Sequence, residues 1–116
     1  MEIIELTKTA FIDKIGNFET TDWKYMGDKP CIVDFSAPWC GFCKRLDPIL
    51  AEFAQAYDGQ LYIYKVNVDN EEDLEKAFNI HTIPTLLLCR MDGTQEMMLG
   101  TMGKAELKKI IDEKVL

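Results

Sequence analysis

Apolar residues recur along this chain in two rhythms, short continuous runs and longer stretches with three- and four-residue spacing, and their alternation predicts a sheet interleaved with helices. Ile3 to Leu6 is a first short strand. Cys31 to Ser36, bounded by Pro30 and Pro38, reads as a strand buried on both faces, interrupted only by Asp34. Leu61 to Asp69 is rich in aromatic and β-branched residues and forms a third strand. Thr85 to Cys89 is a fourth, and the turn residues Met91 to Thr94 fold Gln95 to Leu99 back beside it as a hairpin.

Helical spacing fills the intervals. Thr9 to Asn17 places Phe11, Ile12 and Ile15 on one face. From Cys40 onward Leu46, Ile49, Leu50, Phe53, Ala54 and Tyr57 form an apolar stripe that Asp58-Gly59 terminates, with Pro48 inside as an expected kink. Asn70 to Asn79 turns Leu74, Ala77 and Phe78 inward, and Lys104 to Val115 is amphipathic through Leu107, Ile110 and Ile111. Glu19 to Lys29, with Trp23 and Tyr25, carries a turn or a short helix. The order βαβαβαββα describes an α/β fold: a central mixed five-stranded sheet, parallel in its βαβ part and antiparallel in its terminal hairpin, flanked by helices on both faces.

The 116 residues and a hydrophobic fraction of 47% suit a single domain, 1–116, with a real core. A net charge of -7 argues against a nucleic-acid partner, since that binding rests on Lys and Arg neutralising phosphates. No stretch approaches the roughly 18 apolar residues of a membrane span, and the start lacks a basic segment followed by an apolar one. A soluble, cytoplasmic protein is the preferred expectation; a periplasmic or secreted one would need a signal upstream of Met1.

Four cysteines are too few and too unevenly spaced for a disulfide scaffold. Two of them form Cys40-Gly41-Phe42-Cys43 at a strand-to-helix junction, where a small disulfide ring can close and open without distorting the helix. At the helix N-terminus, unpaired backbone N–H groups and the helix dipole favour a thiolate at Cys40, and thiolate is the nucleophile. Cys43, one turn inside, is shielded from large substrates but placed to attack a mixed disulfide on Cys40. The pair therefore reads as attacking and resolving cysteines. A zinc site would need further ligands, and Cys31, Cys89 and the single histidine, His81, are each isolated in sequence.

Val33-Asp34-Phe35, then Ala37-Pro38-Trp39-Cys40-Gly41-Phe42-Cys43-Lys44, then Ile83-Pro84-Thr85-Leu86-Leu87-Leu88, together resemble the thioredoxin family across essentially the whole chain. Pro48, Lys65, Asp92-Gly93, Gly100 and the last helix belong to the same likeness. Burying Asp34 without a partner is costly and should raise its pKa. The resemblance implies that it lies behind the disulfide and takes a proton from Cys43, with the Lys65 ammonium approaching it; an Asp facing solvent at a strand edge is the alternative. The resemblance also implies a cis Ile83-Pro84 peptide facing the cysteines, its backbone open to an extended substrate. Trp39, beside Cys40, belongs on the substrate face, and Gly41, Thr82, Ile83 and Gly100 complete an apolar platform there.

Phe42 stands where thioredoxins usually have proline, and Ser36 where many have an aromatic residue. Because proline presets the first helical turn, its absence suggests a more oxidising potential than an ordinary thioredoxin. Cys31 and Cys89 would lie on adjacent antiparallel strands, close enough to be neighbours, and are expected to be inert buried thiols. His81 is expected to be a polar loop residue. The expected activity is reduction of protein disulfides, without a bound cofactor beyond the Cys40–Cys43 disulfide, by a monomer. Electrons would come from a flavoprotein of the thioredoxin-reductase kind or a membrane thiol carrier. A disulfide oxidase or isomerase is the second reading and a non-catalytic interaction subunit the third.

Overall fold

The structure, a computed structural model, describes residues 3–116. Five strands form one sheet in the order β1-β3-β2-β4-β5, where β1 is Ile4–Glu5, β2 Cys31–Ser36, β3 Tyr62–Asn67, β4 Thr85–Cys89 and β5 Gln95–Leu99. β1, β3 and β2 run parallel, whereas β4 and β5 are antiparallel to their neighbours. The parallel part is made by crossovers through helices and the antiparallel edge by a tight hairpin, as the two kinds of connection require.

Because side chains alternate across a strand, the central β2 supplies both cores. Cys31, Val33 and Phe35 enter a layer with Phe11 and Ile15 from the α1 region (Lys8–Lys14) and Leu74 of α3 (Glu72–Ala77). Ile32 enters the opposite layer, with Leu46, Leu50 and Phe53 of α2 (Gly41–Ala56) and Leu107 of α4 (Lys104–Ile110). Asp34, two residues beyond Ile32, shares the α2 face. That single parity decides what the carboxyl can reach.

Several elements depart from the expected bounds. α1 begins at Lys8, because the Thr7 side chain caps it by accepting from the Ala10 N–H. Residues 19–29 contain neither helix nor strand; Trp23 and Tyr25 hold them down by packing on the first core. Ala77, expected inward, is exposed, since α3 is only six residues long and buries a single side chain, Leu74. α2 runs through Pro48 for 16 residues and stops where Gly59 takes a left-handed φ of 83°. α4 ends at Ile110 and widens into a π-helical turn, Ile111–Val115, which keeps Ile111 and Val115 buried. Among the described residues no helix is long and apolar enough to cross a membrane.

Phe35 is fully buried, with its ring centroid 5.6 Å from that of Phe78. Phe35→Ala should lower the unfolding free energy by about 3–5 kcal/mol in denaturant titrations; a loss below about 1 kcal/mol would mean that the layer collapses around the gap.

Candidate active site

The site forms where β2 gives way to α2. Cys40 is the N-cap of α2, with extended backbone angles (φ -85°, ψ 117°), and its sulfur accepts from the Cys43 N–H at 3.2 Å. Cys40 and Cys43 are joined as a disulfide with their Cα atoms 5.2 Å apart. On reduction the same N–H and the positive end of the α2 dipole are an environment that favours thiolate at Cys40. Both sulfurs belong to nearly buried residues, Cys40 being 6% exposed and Cys43 1%.

Facing them is the bend before β4. The Ile83-Pro84 peptide is cis, and the Ile83 carbonyl lies 3.8 Å from the Cys40 sulfur. Thr82 is exposed, and its carbonyl accepts from the Thr85 hydroxyl, which ties the bend to the first residue of β4. Gly100 donates its N–H to the Pro84 carbonyl at 2.8 Å, and a Cβ on it would come within 3.1 Å of Leu46 and 3.2 Å of the Pro84 ring. A larger residue there would have to push Leu46 or the Pro84 ring aside. Gly41 has open space around it, so its part is to leave the surface beside Cys40 bare.

Trp39 and Phe42 flank the pair on the outside, 69% and 54% exposed. Trp39 is fixed in place, its indole N–H donating to Asp69 at 3.0 Å, and the Phe42 ring lies under the Arg45 guanidinium at 5.2 Å. A shallow cleft between Phe42, Ile49, Gly100 and Met102 continues this apolar surface. His81 is exposed on the loop leading to the bend.

On the α2 face of β2, Asp34 is wholly buried and neither carboxyl oxygen has a hydrogen-bond partner. It does not face solvent at a strand edge. Burial raises its pKa to about 7, against a moderating effect of the Lys65 ammonium and with a further push from the Asp47 carboxylate. Lys65 stands opposite Asp34 in register, yet its ammonium is bound to Asp47 of α2 at 2.8 Å. The Lys65 ammonium thus tempers the Asp34 carboxyl through charge, while its hydrogen-bonded ion pair is made with Asp47, a carboxylate that is half in water. Ser36, on the same face as Asp34, also has a buried hydroxyl without a partner.

Cys31 and Cys89 are opposite each other in the β2–β4 register, fully buried and unbonded. Burial pushes the Cys31 thiol far up, out of the range in which a thiolate forms. Three residues of the site are not evident from the sequence: Asp47, Asp69 and Thr85. Asp47 was within reach, since it follows Cys43 by one helical turn on the same side. The other two act through contacts that sequence spacing does not announce.

The Thioredoxin family model matches residues 2–113 of this chain. Among known proteins, the chain is 33% identical over 111 residues to a thioredoxin of Borreliella burgdorferi, covering 95% of each sequence. It is 35% identical over 103 residues to a thioredoxin of Chlorobaculum thiosulfatiphilum, covering 84% of this chain and 95% of the relative. A thioredoxin of Pseudomonas aeruginosa is 34% identical over 88 residues, with 76% of this chain and 82% of the relative covered. A vicinal cysteine pair capping a helix and facing a cis-proline bend defines a thiol:disulfide oxidoreductase. Within that class, this chain belongs to the thioredoxin family.

The buried carboxyl makes stability depend on pH. Its folded pKa of about 7 lies above the ordinary value of 3.8, so the folded state holds a proton that the unfolded chain releases. Stability from this group is complete below about pH 4 and is lost as pH rises through about 7, by roughly 4 kcal/mol in all. Asp34→Asn should flatten that decline in denaturant titrations between pH 4 and 8. An equal decline in the variant would show that another group is responsible.

Proposed function

We propose that this thiol:disulfide oxidoreductase, which reduces disulfides with electrons drawn from a reductase, divides the work among its residues in the following way. The Cys40–Cys43 disulfide at the N-terminus of α2, the helix that packs on the face of the sheet where the Asp34 carboxyl lies unpartnered, carries the proposal. In the reduced protein the Cys40 thiolate attacks a substrate disulfide, forming a mixed disulfide and expelling one substrate thiolate. Cys43 then loses its proton to the Asp34 carboxylate and attacks the Cys40 sulfur. The Cys40–Cys43 disulfide forms, the second substrate thiolate departs, and Asp34 is left protonated until Cys43 takes the proton back when the disulfide is next reduced. Two electrons pass from the cysteine pair to the substrate.

Trp39, Phe42 and the Thr82-Ile83-Pro84 bend hold the substrate, with Gly41 and Gly100 leaving room for its backbone. Extended segments of many sequences fit such a surface, because the contacts made by a strand-like main chain do not depend on side chains. The redox-active disulfide is the redox group of the protein, with no bound cofactor. The protein acts as a cytoplasmic monomer, recharged by a flavoprotein reductase or a membrane thiol carrier. The bacterial thioredoxins it resembles along nearly their whole length support the reductase part of this reading.

Phe42 bears on the direction of use. Unlike proline it retains a main-chain N–H in the first turn of α2, one more donor at the end of the helix that stabilises a thiolate. A stabilised dithiol state makes the disulfide a better oxidant. The potential should therefore be less negative than that of Phe42→Pro by about 30 mV, a tenfold change in the exchange equilibrium. Redox titration against glutathione checks this; a wild-type value equal to or below the variant's would reject it.

Insulin-disulfide reduction tests the assignment of the cysteines. Cys40→Ser should abolish turnover, and Cys43→Ser should accumulate a covalent mixed disulfide, detectable by mass, after a single attack. Turnover surviving in Cys40→Ser would overturn the assignment of Cys40 as nucleophile and Cys43 as resolver.

A further inference from the structure

We propose that Asp47 is a positioning residue for the dithiol chemistry: it holds the Lys65 ammonium at the surface of α2 and so keeps it from neutralising the buried Asp34 carboxylate. The inference rests on the reading of Asp34 as the proton acceptor, and it adds the residue that controls that acceptor.

Three observations carry it. First, Lys65 and Asp34 are register partners on adjacent strands, the relation in which side chains on one face meet most directly. Second, the Lys65 ammonium nevertheless makes its ion pair with Asp47, at 2.8 Å, and both oxygens of Asp34 are left without a partner. Third, Asp47 follows Cys43 by four residues in α2, so the helix that carries the resolving cysteine also carries the group that engages Lys65.

The charged groups around Asp34 are few. β3 contributes Lys65, α2 contributes Asp47 and the cysteine pair, and β4 presents the apolar Leu86 opposite it. Glu5 of β1 stands opposite Lys65 on its other side, although the Lys65 ion pair is with Asp47. Lys65 favours the charged form of Asp34 and Asp47 disfavours it. Removing Asp47 acts twice in one direction: it deletes a negative charge near Asp34 and frees a positive one to approach. Removing Lys65 acts the other way.

This arrangement suits a proton acceptor that must also let its proton go. A carboxylate bound directly by Lys65 would remain ionised at neutral pH and be a weak base, whereas one without any cation nearby would stay protonated and be no base at all. Asp47 sets the balance by fixing how far away the cation is kept.

The test is the titration of the Asp34 carboxyl carbon, followed by 13C NMR in the reduced protein. Asp47→Ala should move its midpoint down by on the order of 1 pH unit, as expected for one displaced charge near a protein surface. Lys65→Gln should move it up, and Asp47→Glu should restore the wild-type midpoint. A merely structural Asp47 would change the melting temperature and leave this titration in place. An unmoved or raised midpoint in Asp47→Ala would overturn the proposal, as would an equal downward shift in Glu5→Gln. Failure of Asp34 as the proton acceptor would show separately, as resolution of the mixed disulfide that keeps its wild-type pH profile in Asp34→Asn while the NMR shifts above persist.

Discussion

A carboxyl group buried on the α2 face of the sheet, with neither oxygen accepting a hydrogen bond, is tolerable only while it carries a proton or has a countercharge near. Asp34 meets this constraint from β2, the central strand of the sheet, where the side chain is wholly shut off from bulk water. An apolar residue would pack there at less cost. A buried carboxyl that titrates near neutrality is the kind of group that proton-transfer chemistry uses, which is the role proposed for Asp34.

The rest of the site follows from the ends of regular elements converging on one edge of the sheet. The C-terminal end of β2 delivers the chain to Cys40, the start of α2 supplies the Cys43 N–H to its sulfur, and the bend before β4 brings the Ile83 carbonyl to 3.8 Å from that sulfur. Gly100, at the end of β5, closes the bend by donating to Pro84. Each group is held by backbone, so the pair can be oxidised and reduced while its surroundings stay in place. Trp39 is the exposed member fixed by a side-chain contact, through Asp69.

Much of this was legible in the sequence, for physical reasons that differ by element. The bounds of β2, β4 and β5 emerge as expected because two prolines and a turn delimit them, and the helix from Cys40 because its apolar stripe is unbroken for four turns. The short elements were less legible: α3 has room for one buried residue, so periodicity could not tell Leu74 from Ala77. The cysteines, Asp34 and the Ile83-Pro84 bend were found through a motif and a family likeness. Lys65 was correctly placed opposite Asp34, whose charge it tempers, but its ion pair with Asp47 was not legible, because pairing at a half-exposed position depends on three-dimensional neighbours.

Whether Asp34 accepts the proton of Cys43 is measured most directly by the rate at which Cys43 resolves a preformed mixed disulfide on Cys40. Stopped-flow release of a chromogenic thiol between pH 5 and 9 follows that step. With Asp34 as the acceptor, the wild-type rate rises with pH through a midpoint near 7, the pKa of the buried carboxyl, and an Asp34→Asn variant is slower and lacks that midpoint. A variant with the same rate and the same midpoint would contradict this role for Asp34.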